Sequence, residues 1–354
     1  MRKLLNLLIK SFYLIAGFLI LFIILFFTYS TIFDFKPEKE NVEFRNLEIK
    51  TEIPDTLNII SWNIGFAGLG EQMDFFYDGG KMVISKAEDF LNNQEYIKSF
   101  FRRQKQMDFW LIQELDIYSK RSYFNDQRNL FNSDHHSNSY FSQNYKVAFI
   151  PLPLYQPMGK VNSGLYTISS FQPAEVITRY FDGNYAWPTR LFMLDRCYTI
   201  LRFKTQYKGE LILINTHNSA FDDGSLRLSQ LNELISCAKE EYQNGNYVVI
   251  GGDWNMNPPG YDSESITEYI ATNYAYTISD TMISSDWQWV YDPNIPTLRD
   301  LSMPFKAETT ETTIIDFFLL SPNINLLEIK TFNLEFKASD HNPVLIKCIL
   351  LSSI

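Results

Sequence analysis

Tyr247-Val248-Val249-Ile250-Gly251-Gly252-Asp253-Trp254-Asn255 is a short apolar run that meets two glycines and then presents a carboxylate and a carboxamide two residues apart. Its brevity and β-branching favour a core strand over a helix. Glycines at 251 and 252 let the backbone turn or pass close to a neighbour. Side chains two apart share one face of a strand, so Asp253 and Asn255 can address one target. Asp and Asn after Gly also commonly form turns, and this stretch alone does not choose between the readings.

Five further runs end in a similar way. Leu57-Asn58-Ile59-Ile60-Ser61-Trp62 leads to Asn63, Phe109-Trp110-Leu111-Ile112-Gln113 to Glu114, and Leu211-Ile212-Leu213-Ile214-Asn215-Thr216 to His217. Residues 312–320 carry Asp316 inside an apolar run, and Asp340-His341-Asn342 opens into Pro343-Val344-Leu345-Ile346. Chance would scatter such groups over both strand ends and the loops. Between these runs, helices are expected around residues 87–104 and 225–242, the latter with Leu226, Leu231, Leu234 and Ile235 at near-helical spacing. Further strands are expected at 146–150, 164–169, 199–204 and 326–336. Many short strands with a few helices indicate an α/β (α+β) protein, two packed sheets flanked by helices.

The first residues are a separate matter. Residues 11–30 contain no charge and are dominated by Leu, Ile and Phe. Twenty helical residues reach roughly 30 Å, the thickness of a bilayer's hydrocarbon, so one N-terminal transmembrane helix is expected. Arg2, Lys3 and Lys10 precede it and the first acidic residue is Asp34, which places the amino terminus in the cytoplasm and the body in the periplasm or outside the cell. Thr28-Tyr29-Ser30-Thr31-Ile32 lacks a small-x-small cleavage site, favouring an uncleaved, single-pass anchor. The expected organisation is a basic N-terminus at 1–10, the transmembrane helix at 11–30, a polar tether at 31–56 and a folded body at 57–354.

At 354 residues, 45% hydrophobic and 16% aromatic, the chain has ample material for a large core. Setting aside the three basic residues before position 31 leaves 28 Lys plus Arg against 41 Asp plus Glu, a net charge of −13. That surface is poor for binding a polyanion without a local basic groove. Cys197, Cys237 and Cys348 show no metal-ligand spacing and fit either one disulfide or three buried thiols.

Collected, the candidates are Asn63, Glu114, His217, Asp253, Asn255, Asp316, Asp340 and His341. Carboxylates and amide oxygens without a thiolate cluster suit a hard cation such as Mg²⁺, with Mn²⁺ as an alternative. Two histidines beside them suit proton transfer. The set fits metal-assisted phosphoester hydrolysis.

Ser61-Trp62-Asn63, Gln113-Glu114, Asn162-Ser163-Gly164, Asn215-Thr216-His217, Gly252-Asp253-Trp254-Asn255, Ile315-Asp316-Phe317 and Ser339-Asp340-His341-Asn342-Pro343-Val344 resemble, in order, the motif series of the endonuclease/exonuclease/phosphatase superfamily. The resemblance spans roughly residues 57–351 and is to a bacterial, membrane-anchored member. It implies a four-layer sandwich of two mixed sheets between helices. It implies Glu114 as the principal Mg²⁺ ligand with Asn63 and Asp340 close to the metal, and His341 as general base oriented by Asp316. Asp253 would position the water, Asn255 would donate to a phosphoryl oxygen, and His217 would bond the phosphate or assist the leaving oxygen. Arg227 and Gln230 resemble a recurrent helix pair that secures a loop.

Other features fit no motif. Gly65-Phe66-Ala67-Gly68-Leu69-Gly70 and the segment to Gly80 are glycine-rich and aromatic but lack the Gly-Lys-Ser/Thr of a P-loop, so a loop at the site's rim is expected. Residues 258–310, with Trp287, Trp289, Tyr291 and Arg299, match no motif; their aromatic residues fit packing, with membrane contact or stacking on substrate as alternatives. His135 and His136 read as solvated loop. Arg190, in Pro188-Thr189-Arg190, fits a substrate-phosphate contact or a surface ion pair.

The leading reading is an anchored phosphoesterase acting on a lipid headgroup phosphodiester or a small phosphate ester. A nuclease would use the same site with a groove from Lys98, Arg102, Arg103, Lys105, Arg121 and Arg128. An inactive ligand-binding domain would lack the glutamate, a histidine or the Gly-Asp-x-Asn unit, and none is missing.

Overall fold

The computed structural model describes residues 2–46, 48, 51–132, 138–220, 222–261 and 276–352. His135 and His136 lie outside these residues. The apolar helix α1 (Arg2–Ile32) is followed by β1 (Glu40–Arg45), β2 (Thr56–Asn63), α2 (Ala87–Arg103), β3 (Phe109–Asp116), β4 (Asn138–Ile150) and β5 (Gly159–Ser169). Then come β6 (Glu175–Tyr180), β7 (Cys197–Lys204), β8 (Glu210–His217), α3 (Ser225–Gln243) and β9 (Tyr247–Asp253). Short strands β10 (Gln288–Val290), β11 (Leu298–Arg299) and β12 (Thr312–Thr313) precede β13 (Asp316–Leu320), β14 (Ile324–Thr331) and β15 (Val344–Leu350).

One sheet runs β1-β6-β7-β8-β9-β13-β10 and the other β14-β15-β2-β3-β5-β4. Each contains one parallel pair, β8 with β9 and β2 with β3. A parallel pair needs a crossover, and here each crossover is a helix, α3 and α2 respectively. The inner faces meet through Ile59, Leu111 and Ile346 on one side and Leu213, Val249 and Phe318 on the other. Outside, α2 lays Ile97 and Phe100 over Trp62 and Trp110, while α3 lays Leu231 and Leu234 over Ile214 and Ile250. The four layers are thus helix, sheet, sheet, helix. Central strands covered on both faces must be apolar throughout, which is why residues 247–250 and 211–214 show no alternation.

Gly251 and Gly252 serve close approach. A Cβ at 251 would lie 2.4 Å from the Phe318 ring, and one at 252 would lie 2.0 Å from the Thr216 carbonyl oxygen. The second contact is backbone and cannot swing away.

Several boundaries differ from the sequence reading. The apolar helix extends beyond 11–30 at both ends, since Arg2, Lys3 and Lys10 are also good helix formers. It is the one helix among the described residues long and apolar enough to cross a membrane. The polar stretch 31–56 is tied to the body: β1 pairs antiparallel with β6, and Ile53 is buried beside Thr205. Alternation in Glu-Asn-Val-Glu-Phe-Arg hides that edge strand, whose charged residues face Arg179 and Glu175. β14 stops at Thr331 because an Asn333 side chain accepts from the Glu335 amide and turns the chain. Residues 312–320 form two strands, and Thr297 Oγ1 accepts from the amides of Ile315 and Asp316 at the break, so Asp316 opens a strand. All three cysteines are buried and free.

Gly252→Ala is expected to destabilise the protein by about 3 kcal/mol through overpacking against Thr216. Thermal unfolding in detergent reads this, and a wild-type melting temperature would contradict so close an approach of β8 and β9.

Candidate active site

Strand register sets the first row of the site. β8 pairs with β9 and β9 with β13 so that His217, Asp253 and Asp316 stand abreast on three neighbouring strands. The second sheet contributes the end of β2, with Asn63 opposite Gln113 on β3, and the turn before β15, which carries Asp340 and His341. That turn is pinned to β2: Ser339 Oγ donates to the Asn63 carbonyl (2.8 Å) and Trp62 Nε1 to the His341 carbonyl (2.9 Å).

Asp253 is 1% exposed and is answered from both sheets. Its Oδ2 accepts from Asn63 Nδ2 at 3.0 Å and its Oδ1 from the Asn255 amide at 2.9 Å. Oδ2 also lies 3.4 Å from His217 Nε2 and 3.8 Å from His341 Nε2. Burial, then the neighbouring Asp316, push the Asp253 carboxyl up to about 7. His341 donates from Nδ1 to Asp316 Oδ2 at 2.8 Å. Burial opposes its charged form, but Asp316, Asp340 and Asp253 outweigh burial and lift its pKa to about 10. His217 behaves oppositely: burial, followed by Arg196 and His341, holds it well below the usual histidine range, and its Nδ1 has no hydrogen-bond partner among the described residues.

Asn255 adopts a left-handed backbone, φ 51°, a conformation Asn tolerates better than most residues. Its Nδ2 donates to the Asn218 carbonyl at 2.8 Å, leaving the second N–H of that amide. Glu114 is also left-handed, φ 54°, and sits where the β3–β5 register slips between Ile112 and Leu115. Glu114 lies near the end of its strand, as expected, at a bulge after which the strand continues to Asp116. A bulge re-aims one side chain without ending the sheet.

Seven of the eight expected residues line one cavity of about 810 Å³: Asn63, Glu114, His217, Asp253, Asn255, Asp340 and His341. Asp316 is the exception and stands behind His341. The Glu114 carboxylate accepts no hydrogen bond among the described residues; burial pushes it up, Arg121 pulls against this, and Asp340 adds to it. Burial likewise raises Asp340. Asp78, from the unassigned glycine-rich segment, enters the same cavity and is pushed up to about 8 by burial and by Asp340 and Glu114. Three oxygen-donor carboxylates crowded into one cavity, with His341 Nε2 3.8 Å from Asp340 as their one ion pair among the described residues, fit a hard divalent ion. Asp253, Asp316 and His341 also bring ligand atoms within 4.8 Å of one another, but there His341 Nδ1 is already committed to Asp316.

Arg190 does not line the cavity; it lies 3.8 Å from Asp34, the ion-pair alternative. The arginines that do are Arg121 and Arg196. Arg121 donates twice to Asp116, both at 3.0 Å, and lies 3.8 Å from the Phe66 ring centroid. Arg196 has a buried Nη1 with no hydrogen-bond partner among the described residues. Sequence reading missed Arg196 because no motif surrounds it; its one signal is its place immediately before a strand. Arg227 and Gln230 secure the loop after β8 as expected, Arg227 Nε to Asp222 (2.5 Å) and Gln230 to the Ser219 amide and hydroxyl. Arg299 clamps the glycine-rich segment by donating to the carbonyls of Leu69, Gly70 and Met73. Of the basic set that a nuclease groove would use, Arg121 alone reaches the cavity, and Arg128 pairs with Asp126.

No protein-family model matches the sequence, and no curated protein sequence matches it. Solved structures do match. An endonuclease/exonuclease/phosphatase from Beutenbergia cavernae DSM 12333 superposes with a TM-score of 0.54 at 14% identity, over 84% of this chain and 72% of that one. One from Bacteroides vulgatus gives 0.51 at 16% identity, over 83% and 99%. ANGEL2, described as a 2',3'-cyclic phosphatase and solved with adenosine-2',3'-vanadate, gives 0.52 at 16%, over 89% and 99%. With two mixed sheets between helices and these neighbours, the chain has the endonuclease/exonuclease/phosphatase fold.

Proposed function

We propose that the chain is a membrane-anchored, divalent-cation-dependent phosphoesterase. The observation that carries this is one cavity in which a hydrogen-bonded His341–Asp316 pair and Asp253 face an unpartnered carboxylate group and an arginine with a free N–H. Glu114 and Asp340, with Asn63 beside them, would hold Mg²⁺ or Mn²⁺. When bound, such an ion neutralises charge on the phosphoryl oxygens as a Lewis acid. A neighbour of this fold described as a 2',3'-cyclic phosphatase agrees with phosphate-ester chemistry.

The chain's own residues then divide the work. Asp316 fixes His341 with Nε2 toward the cavity, and Asp253, within reach of both histidines, aligns the attacking water. The water's oxygen bonds to phosphorus, its proton passes to His341 Nε2, and the P–O bond to the leaving group breaks. Asp340, once committed to a cation, contributes less to the field that protonates His341, which favours its role as base. His217, neutral in its setting, hydrogen-bonds the leaving oxygen. The second N–H of Asn255 and the free N–H of Arg196 receive phosphoryl oxygens, where charge develops. Residues 11–30 span the membrane, residues 1–10 stay in the cytoplasm, and the body from 57 onward lies in the periplasm or outside the cell.

Glu114→Gln and His341→Asn should each lower kcat/KM on p-nitrophenyl phosphate or bis-p-nitrophenyl phosphate with Mg²⁺ by about 10³ or more, with unchanged circular dichroism. Chelation should abolish activity and Mg²⁺ restore it; full activity in either variant contradicts the assignment. Arg196→Ala should cost about 100-fold in kcat/KM and Arg190→Ala less than about twofold, and the reverse ranking would move the phosphate contact to Arg190. A phosphatase reporter fused after residue 354 should be active outside the cytoplasmic membrane, and a cytoplasmic carboxyl terminus would overturn the topology.

A further inference from the structure

The cavity has a polar floor, but its outer wall comes from an unexpected place. Phe22, Phe26 and Phe27 of α1 line it together with Glu114, Asp253 and His341. Phe26 stacks on Phe192 at 5.9 Å with planes 7° apart, and Phe27 packs on Trp187 at 5.8 Å. Thr31 Oγ1 accepts from Trp187 Nε1 at 3.3 Å, so the helix end is seated on the short turn Thr189–Phe192 and the residues just before it. Leu152 and Leu154 also line the cavity and are 51% and 83% exposed, so they stand at its mouth.

Depth decides what this wall is for. At 1.5 Å per residue, Phe22 and Phe27 lie roughly 12 Å and 5 Å below the body-side end of the apolar segment, among acyl chains and inside of any headgroup. A water-soluble phosphate ester needs no wall at that depth. Exposed Leu152 and Leu154 at the mouth suit hydrocarbon or its interface and not bulk water. The cavity therefore joins the hydrolytic residues directly to the interior of the leaflet on the body's side.

We propose that the substrate is a lipid phosphoester drawn laterally from that leaflet, its phosphate on the polar floor and its alkyl chain along the wall formed by Phe22, Phe26 and Phe192. This rests on the phosphoesterase reading and names the substrate class of the same site. The anchor helix is then part of the lipid-binding surface as well as a tether.

The test uses the full chain in phosphatidylcholine proteoliposomes with Mg²⁺ and two probes of identical chemistry, ethyl p-nitrophenyl phosphate and hexadecyl p-nitrophenyl phosphate. In both, water's oxygen adds to phosphorus and the P–O bond to p-nitrophenolate breaks. The wild type should prefer the hexadecyl ester by about 30-fold or more in kcat/KM. Phe22→Ala and Phe192→Ala, on different elements, should each cut that ratio by about fivefold or more, with the ethyl ester rate in the same sample reporting an intact site. Equal rates on the two probes, or a preference that survives in both variants as simple partitioning into the bilayer would give, overturns the lipid proposal and leaves the phosphoesterase reading standing. Hydrolysis of neither probe overturns the lipid proposal, and the phosphoesterase reading falls with it if p-nitrophenyl phosphate and bis-p-nitrophenyl phosphate are also left intact.

Discussion

The carboxylate of Asp253 is buried between two sheets and has to be satisfied from both. Left alone, a buried charge would cost several kcal/mol or be neutralised. Here the Asn63 amide reaches across from β2, the Asn255 amide closes from the same loop, and two histidines stand within 4 Å. The contacts with Asn63 and His341 require the carboxyl-terminal ends of β2 and β9 to lie at one level. The packing of the sandwich and the geometry of the site are therefore one constraint. Gly251 and Gly252 permit it, because any side chain there would hold β9 away from Phe318 and Thr216.

The charges in the cavity fall into two groups with different physics. Asp316, Asp253 and His341 form a set in which a hydrogen bond fixes the imidazole, while Asp316 Oδ1 has no hydrogen-bond partner among the described residues. Glu114, Asp340 and Asp78 repel one another and are all pushed up by burial. A fold tolerates such crowding only where the rest of the structure overdetermines it, and left-handed Glu114 at a bulge is held by the flanking strand pairs on both sides. On the proposed reading the crowding is relieved by a divalent cation, since Arg121, which relieves Glu114 only in part, is tied by its paired bonds to Asp116.

Much of this was legible in the sequence because strand ends write their residues next to their strands. The runs ending at Asn63, His217 and Asp253 are local statements, each legible in a few adjacent residues. Features made by contacts distant in sequence were not legible. The bulge at Glu114 arises from pairing with β5, Asp78 enters through a loop held by Arg299, and β1 is an edge strand whose polar alternation resembles a tether. Arg190 and Arg196 differ by six positions, and only tertiary placement separates an ion pair with Asp34 from a free N–H in the cavity. Likewise, nothing in residues 11–30 says that one face of this apolar helix also lines a cavity.

Counting cations narrows the substrate further. A strand of nucleic acid is held by many phosphate contacts, and its affinity falls steeply when few are made. The body beyond residue 30 carries a net charge of −13, and its cavity holds two arginines, one of them already matched to Asp116. On the proposed reading, a single unmatched guanidinium beside one cation that Glu114 and Asp340 would hold is enough for a single phosphate group. Binding strength beyond that must come from apolar contact, at about 25 cal/mol per Å² of surface removed from water. The surface available for it runs from Phe192 onto the face of α1, so the charge arithmetic that disfavours a polyanion agrees with the proposed lipid substrate.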